Sequence, residues 1–144
     1  MNSASTVSAE LGLRLVVHEE TIVPLVASLY YSAEDPYAVR VAFHVGLDEP
    51  VEWTFARDLL AEGVEGATGL GDVKIWPSDG PQSDLRGVVL HVQLVSSYGE
   101  AHFEALSTDV SDFLHRTYKI VPDGEESGRI NIDGELAELL RRAI

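Results

Sequence analysis

"VEWTFARDLLAEG", residues 51–63, changes its hydrophobic period midway, and that change decides the fold. Val51, Trp53 and Phe55 recur at every second position, the pattern of a strand with one buried face. From Ala56 the period lengthens, and Leu59 and Leu60 stand together among Arg57, Asp58 and Glu62 as the apolar stripe of a short helix. Gly63 is placed to close that helix as its C′ residue.

Upstream, "VSAELGLRLVV" (7–17) sets Leu11, Leu13, Leu15 and Val17 against Glu10, Gly12 and Arg14. "VPLVASLYYS" (23–32) aligns Leu25, Ala27, Leu29 and Tyr31, and "YAVRVAFHV" (37–45) aligns Val39, Val41, Phe43 and Val45. "EDP" (34–36) and "GLDEP" (46–50) supply turn chemistry between runs, because proline presets φ and aspartate bonds the backbone ahead of it. Consecutive strands on short turns make an antiparallel meander.

Downstream the plan repeats. "DVKIWP" (72–77) is a strand, "SDGPQSDLRG" (78–87) a loop, and "VVLHVQLVSS" (88–97) with "YGEAHFEALS" (98–107) a hairpin. "TDVSDFLHRTY" (108–118) then spaces Val110, Phe113, Leu114 and Thr117 as a helix, with Ser107 or Thr108 as its N-cap. A polar segment, "PDGEESGR" (122–129), precedes a closing helix in "NIDGELAELLRRAI" (131–144). There Asn131 or Asp133 caps, Leu136, Leu139 and Leu140 form the stripe, and Arg141 and Arg142 suit the negative end of the dipole. The expectation is one α+β domain over residues 1–144: antiparallel sheets from a strands-then-helix unit used twice, plus a C-terminal helix.

Ten Lys and Arg against 24 Asp and Glu leave a net charge of −14 in 144 residues, a field that repels nucleic acid and anionic lipid. The absence of cysteine excludes disulfides, thiolate nucleophiles and Cys-ligated metal sites. No apolar run approaches the roughly 20 residues that span a bilayer, which points to the cytoplasm without direct membrane insertion.

The glycine-dense stretch "AEGVEGATGLGDVKIWP" (61–77) raises the possibility of a phosphate cradle. Such cradles follow a strand and open a helix, whereas these glycines follow a helix and precede a strand. Glu62, Glu65 and Asp72 line the stretch, so it reads as a corner with no ligand and no cofactor. On the hairpin, His91 and Gln93 face Glu100, His102 and Glu104. That set has the donor chemistry of a zinc site and equally the composition of a solvated strand face. A metal-dependent hydrolase using His91, His102 and Glu104 is the competing enzymatic reading, although no nucleophile motif accompanies it. Trp76 and Tyr30 fall on the strand faces opposite their apolar neighbours, which implies a two-sided sheet or a subunit interface and hence an oligomer.

"DPYAVRVAFH" (35–44), "VEWTFARDLLAEG" (51–63) and "GDVKIWP" (71–77), in this order, resemble the SsgA-like proteins, the sporulation and cell-division family of filamentous actinomycetes. The resemblance implies a non-enzymatic regulator at the division septum that recruits the tubulin-like protein FtsZ and acts with a sister SsgA-like protein. It also implies a whirly-like, bell-shaped homotrimer, a fold shared with single-strand nucleic-acid binders, a binding activity that the negative charge here opposes. The family signature falls on Asp35, Pro36, Tyr37, Trp53, Phe55, Arg57, Asp58, Leu59, Leu60, Gly63, Gly71, Asp72, Trp76 and Pro77. Of these, Pro36, Gly63 and Gly71 are expected to set backbone geometry and Phe55, Leu59 and Leu60 to fill the core. Asp35, Tyr37, Arg57, Asp58 and Trp76 are the expected subunit or partner contacts.

Overall fold

The computed structural model describes residues 5–18, 21–44, 46, 49–78, 88–97 and 99–129. Four strands and a helix occur twice in succession. β1 (Thr6–His18), β2 (Thr21–Ser32), β3 (Asp35–His44) and β4 (Val51–Ala56) lead into α1 (Arg57–Glu65). β5 (Thr68–Leu70), β6 (Val73–Ser78), β7 (Val89–Ser96) and β8 (Gly99–Leu106) lead into α2 (Ser107–Ile120), and α3 (Glu126–Arg129) follows.

The two meanders fuse edge to edge into a single eight-stranded sheet of order β4-β3-β2-β1-β8-β7-β6-β5, rather than separate sheets. The seam is antiparallel and short, pairing Arg14 with Glu104, Leu15 with Phe103 and Val16 with His102. Phe43 and Phe103, one from each half, stack with ring centroids 4.3 Å apart beneath it. Both helices pack on the inner face across the seam, α1 against β6 and α2 against β1, so neither half has a complete core alone. Leu11, Leu13, Ala27, Leu29, Val41 and Phe55 meet Leu59, Leu60, Val110, Phe113 and Leu114 there, all buried. Each of the larger side chains contributes about 1.5–3 kcal/mol by leaving water.

Burial fades away from the helices. Along β4, Phe55 is 3% exposed, Trp53 half-buried and Val51 56% exposed. Val17, expected inside, is 47% exposed because the β1–β2 hairpin runs beyond the segment that pairs with β8.

Several local expectations need correction. Gly63 does not end α1 but lies within it, buried on the helix face that meets β6. A Cβ built there collides with the Cγ2 of Ile75 and comes within 2.8 Å of its Cβ, so the glycine serves close helix-to-sheet packing. The Gly-rich corner contains a short strand, β5, whose return to β6 is made by Gly71 at φ 61°, a left-handed conformation that glycine adopts at least cost. Neither Ser107 nor Thr108 caps α2: Leu106 is the N-cap, and the Ser107 amide donates to the Val88 carbonyl at 2.9 Å. The sheet itself thus satisfies one of the free amides of the first turn. Within the polar "PDGEESGR" segment, residues from Glu126 onward form α3. The expected closing helix, with Asn131, Asp133, Leu136, Leu139, Leu140, Arg141 and Arg142, lies outside the described residues, as does Val45.

Candidate functional site

Arg57 is the first residue of α1, where the positive end of the helix dipole disfavours a cation, and it is only 1% exposed. The fold compensates through both terminal nitrogens, while Nε finds no acceptor among the described residues. Nη2 donates to Glu126 Oε2 at 2.8 Å, and Nη1 donates to the Val121 carbonyl at 2.8 Å. That carbonyl belongs to the C-cap of α2, so the guanidinium satisfies an acceptor the helix cannot. Thr117 donates its hydroxyl to the Leu114 carbonyl at 2.6 Å, leaving its oxygen to face Nη1 at 3.4 Å. The rings of Tyr31 and Tyr118 hold the guanidinium carbon at 4.9 Å and 4.3 Å from their centroids, within cation–π reach. One side chain therefore joins β2, α1, α2 and α3.

The electrostatics follow the geometry. The hydrogen bond from Arg57 holds the Glu126 carboxyl below its ordinary range. Burial pushes the Tyr31 phenol up to about 12 although Arg57 opposes it, and the Tyr31 hydroxyl donates to the Pro36 carbonyl at 3.0 Å. Burial raises the Tyr118 phenol as well. The exposed Asp58 carboxyl is raised first by partial desolvation, then by the charges of Glu126 and Asp123.

Arg57 was an expected surface contact; its burial makes it an internal latch instead. The expected contacts that remain at this end of the sheet are exposed. Asp35 and Tyr37 flank the buried Pro36 at the start of β3, Tyr37 being 47% exposed, and Asp58 follows Arg57. The latch contacts Tyr31, whose hydroxyl donates to the Pro36 carbonyl between Asp35 and Tyr37, and lies next to Asp58 in sequence. Sequence reasoning missed Glu126, Thr117 and Tyr118 as members of this cluster, since they approach Arg57 only through the packing of α2 and α3.

Trp76 lies elsewhere, on the outer face of β6 opposite His91 of β7. The indole stacks on the His91 ring at 5.2 Å and 6°, and lies 5.5 Å from the His102 ring. His91 Nδ1 and His102 Nε2 are 2.9 Å apart and share a hydrogen bond. Glu104 Oε2 lies 3.8 Å from His91 Nδ1, while its Oε1 faces Arg14 Nε at 3.8 Å. Burial, followed by His102, lowers the His91 pKa despite the opposing charge of Glu104. Gln93 donates to Glu100 at 2.8 Å beside this group, so the cross-strand facing expected from the hairpin pattern holds.

The fold defines a class: an α+β protein of one continuous antiparallel sheet, with its two long helices on one face and a buried arginine joining them. The family described as "Streptomyces sporulation and cell division protein, SsgA" matches residues 25–126. The chain is 51% identical to the sporulation-specific cell division protein SsgB of Thermobifida fusca over 139 residues, 96% of this chain and 98% of that one. It is 49% identical to SsgB of Streptomyces coelicolor over 136 residues, 94% of this chain and 96% of the relative. The crystal structure of an SsgA-like sporulation-specific cell division protein from T. fusca superposes with a TM-score of 0.82 at 51% identity, covering 96% of this chain and 98% of that one. A second solved structure, from work on SsgB mutations that correlate with longitudinal cell division during sporulation of S. coelicolor, gives 0.80 at 46% identity, covering 90% and 99%. The chain belongs to the SsgA family of sporulation and cell division proteins. No helix among the described residues is long and apolar enough to cross a membrane.

Proposed function

We propose that this protein is a non-enzymatic scaffold of sporulation-specific division, working in the cytoplasm at the septum and gathering FtsZ through repeated copies of one surface. The observation that carries the reading is the 51% identity, over nearly the whole chain, to a protein named for sporulation-specific cell division. The exposed set Asp35, Tyr37 and Asp58 is the proposed contact, adjoining the latch through Tyr31 and the chain next to Arg57. A whirly-like homotrimer would present three such sets, with a sister SsgA-like protein as a further partner. Avidity from linked weak sites exceeds single-site affinity by roughly 10² to 10⁴, so modest contacts to a polymer suffice. The −14 charge fits a protein partner with basic patches and disfavours nucleic acid.

The test is co-sedimentation with polymerised FtsZ, comparing the native assembly with a forced monomer of unchanged circular dichroism. The assembly is expected to pellet with polymer and the monomer to remain in solution. Equal pelleting would remove the avidity mechanism, and no pelleting of either would remove FtsZ as the direct partner.

A further inference from the structure

The imidazole cluster on the outer face has donors, spacing and support that the division role does not use. We propose that His91, His102 and Glu104 form a binding site for one late first-row divalent cation, Zn²⁺ foremost.

The donor set of two imidazoles and a carboxylate suits Zn²⁺, with a fourth position left for water. In a tetrahedral site with metal–nitrogen distances of about 2.0–2.1 Å, two ligand atoms stand about 3.3 Å apart. Here the two nitrogens are 2.9 Å apart, the nearer carboxylate oxygen is 3.8 Å from His91 Nδ1, and one donor atom from each residue lies within 4.8 Å of the others. These two spacings lie within about half an ångström of that geometry, and the 4.8 Å bound on the third leaves at most about 1.5 Å to close, within reach of rotamer adjustment in side chains that are only half-buried. Strand register does the placing. His91 pairs directly with Glu104 across β7 and β8, and His102 sits diagonally from His91, opposite Gln93.

Two neighbours act as support. Trp76 stacks almost parallel to His91 and fixes its ring plane. Arg14, paired with Glu104 across the seam, faces the carboxylate oxygen turned away from the imidazoles, and its buried Nη1 finds no acceptor among the described residues. A cation on Oε2 with a guanidinium on Oε1 is the outer-shell arrangement that orients a ligating carboxylate. The cation replaces a proton between the rings. In the neutral pair, one ring donates N–H to the other; on binding, that proton moves to the far nitrogen of its own ring, and both facing nitrogens offer lone pairs. No net proton is released.

Titration calorimetry of the full chain with ZnCl₂ tests this. One site per chain is expected, with His91→Ala or His102→Ala weakening binding about 100-fold or more and Arg14→Gln about 10-fold. His115→Ala, an exposed histidine of α2, should leave binding unchanged, and excess Mg²⁺ should not compete. Ni²⁺ is expected to quench the Trp76 emission, and Trp76→Phe to abolish that quench. Because a variant could fail to fold, the wild-type chain is also followed by imidazole NMR, where the His91 and His102 signals should shift together at one equivalent while those of His44 and His115 stay. Zn²⁺ binding weaker than about 1 mM, binding that survives loss of both histidines, or shifts at other rings instead would overturn the site.

Discussion

Arg57 with Glu126 on the inner face and His91 with His102 and Glu104 on the outer face are both cross-strand or cross-helix charge clusters flanked by aromatic rings. They differ in solvent. Arg57 and Glu126 have side chains 1% and 8% exposed, and the guanidinium meets an acceptor on three different residues. In the outer cluster, among the described residues, the two imidazoles have as polar partners only each other and a carboxylate at 3.8 Å, and every member is half-buried. A cluster whose charges are paired within its own fold holds structure, even with Arg57 Nε left without an acceptor among the described residues, whereas one whose ligand atoms face each other near the surface is available to something else. Arg57 therefore belongs to stability and His91 to binding, although the sequence presents both as polar residues amid strands and helices.

The comparison breaks most visibly at Arg57. Arg57→Ala leaves Glu126 buried without its cation and should cost about 3–5 kcal/mol in urea unfolding, because an uncompensated buried charge is left behind. Replacing both partners, Arg57→Met with Glu126→Leu, should recover much of that loss, since neither charge then needs compensation. The pH dependence has a defined sign. Glu126 has its folded pKa depressed by Arg57, so its contribution is present above the unfolded value of about 4.5 and is lost as pH falls through the folded value. Tyr31, raised from 10.0 to about 12, acts at the other extreme: stability present below pH 10 is lost as pH rises toward 12. Glu126→Gln should flatten the acid limb and also shrink the basic one, because the Glu126 charge helps to raise Tyr31.

A smaller effect is expected at Gly63. Gly63→Ala drives a methyl into Ile75 and should destabilise by about 1–3 kcal/mol, read as a lowered melting temperature. A change within 0.5 kcal/mol would mean that α1 does not press on β6 as closely as described.

Much of this was legible before the structure. The alternation of Leu11, Leu13, Leu25, Ala27, Leu29, Val39 and Val41 marks the first meander because one face of it is buried and period two is the only way to bury it. His91, His102 and Glu104 could be grouped from the hairpin alone, since antiparallel register follows from a short turn. β5 could not, because "TGL" carries no alternation and owes its strand to pairing with β6. The burial of Arg57 was hidden for a related reason. Its compensating residues lie 60 to 69 positions downstream on helices whose docking no local pattern encodes. Trp76 joins the histidines only through the β6–β7 pairing, across a loop whose length gives no register.

The smallest expected effect on the fold coincides with the largest on the proposed role. Tyr37→Ala with Asp58→Ala should change unfolding free energy by no more than about 0.5 kcal/mol per site, as exposed positions do. Co-sedimentation of this double variant with polymerised FtsZ, beside the unaltered chain, is the most direct measurement. Expected is a folded protein of native assembly state that stays in the supernatant while the unaltered chain pellets. A double variant that pellets as well as the unaltered chain would contradict the assignment of this surface, and an unaltered chain that never pellets would contradict the scaffold itself.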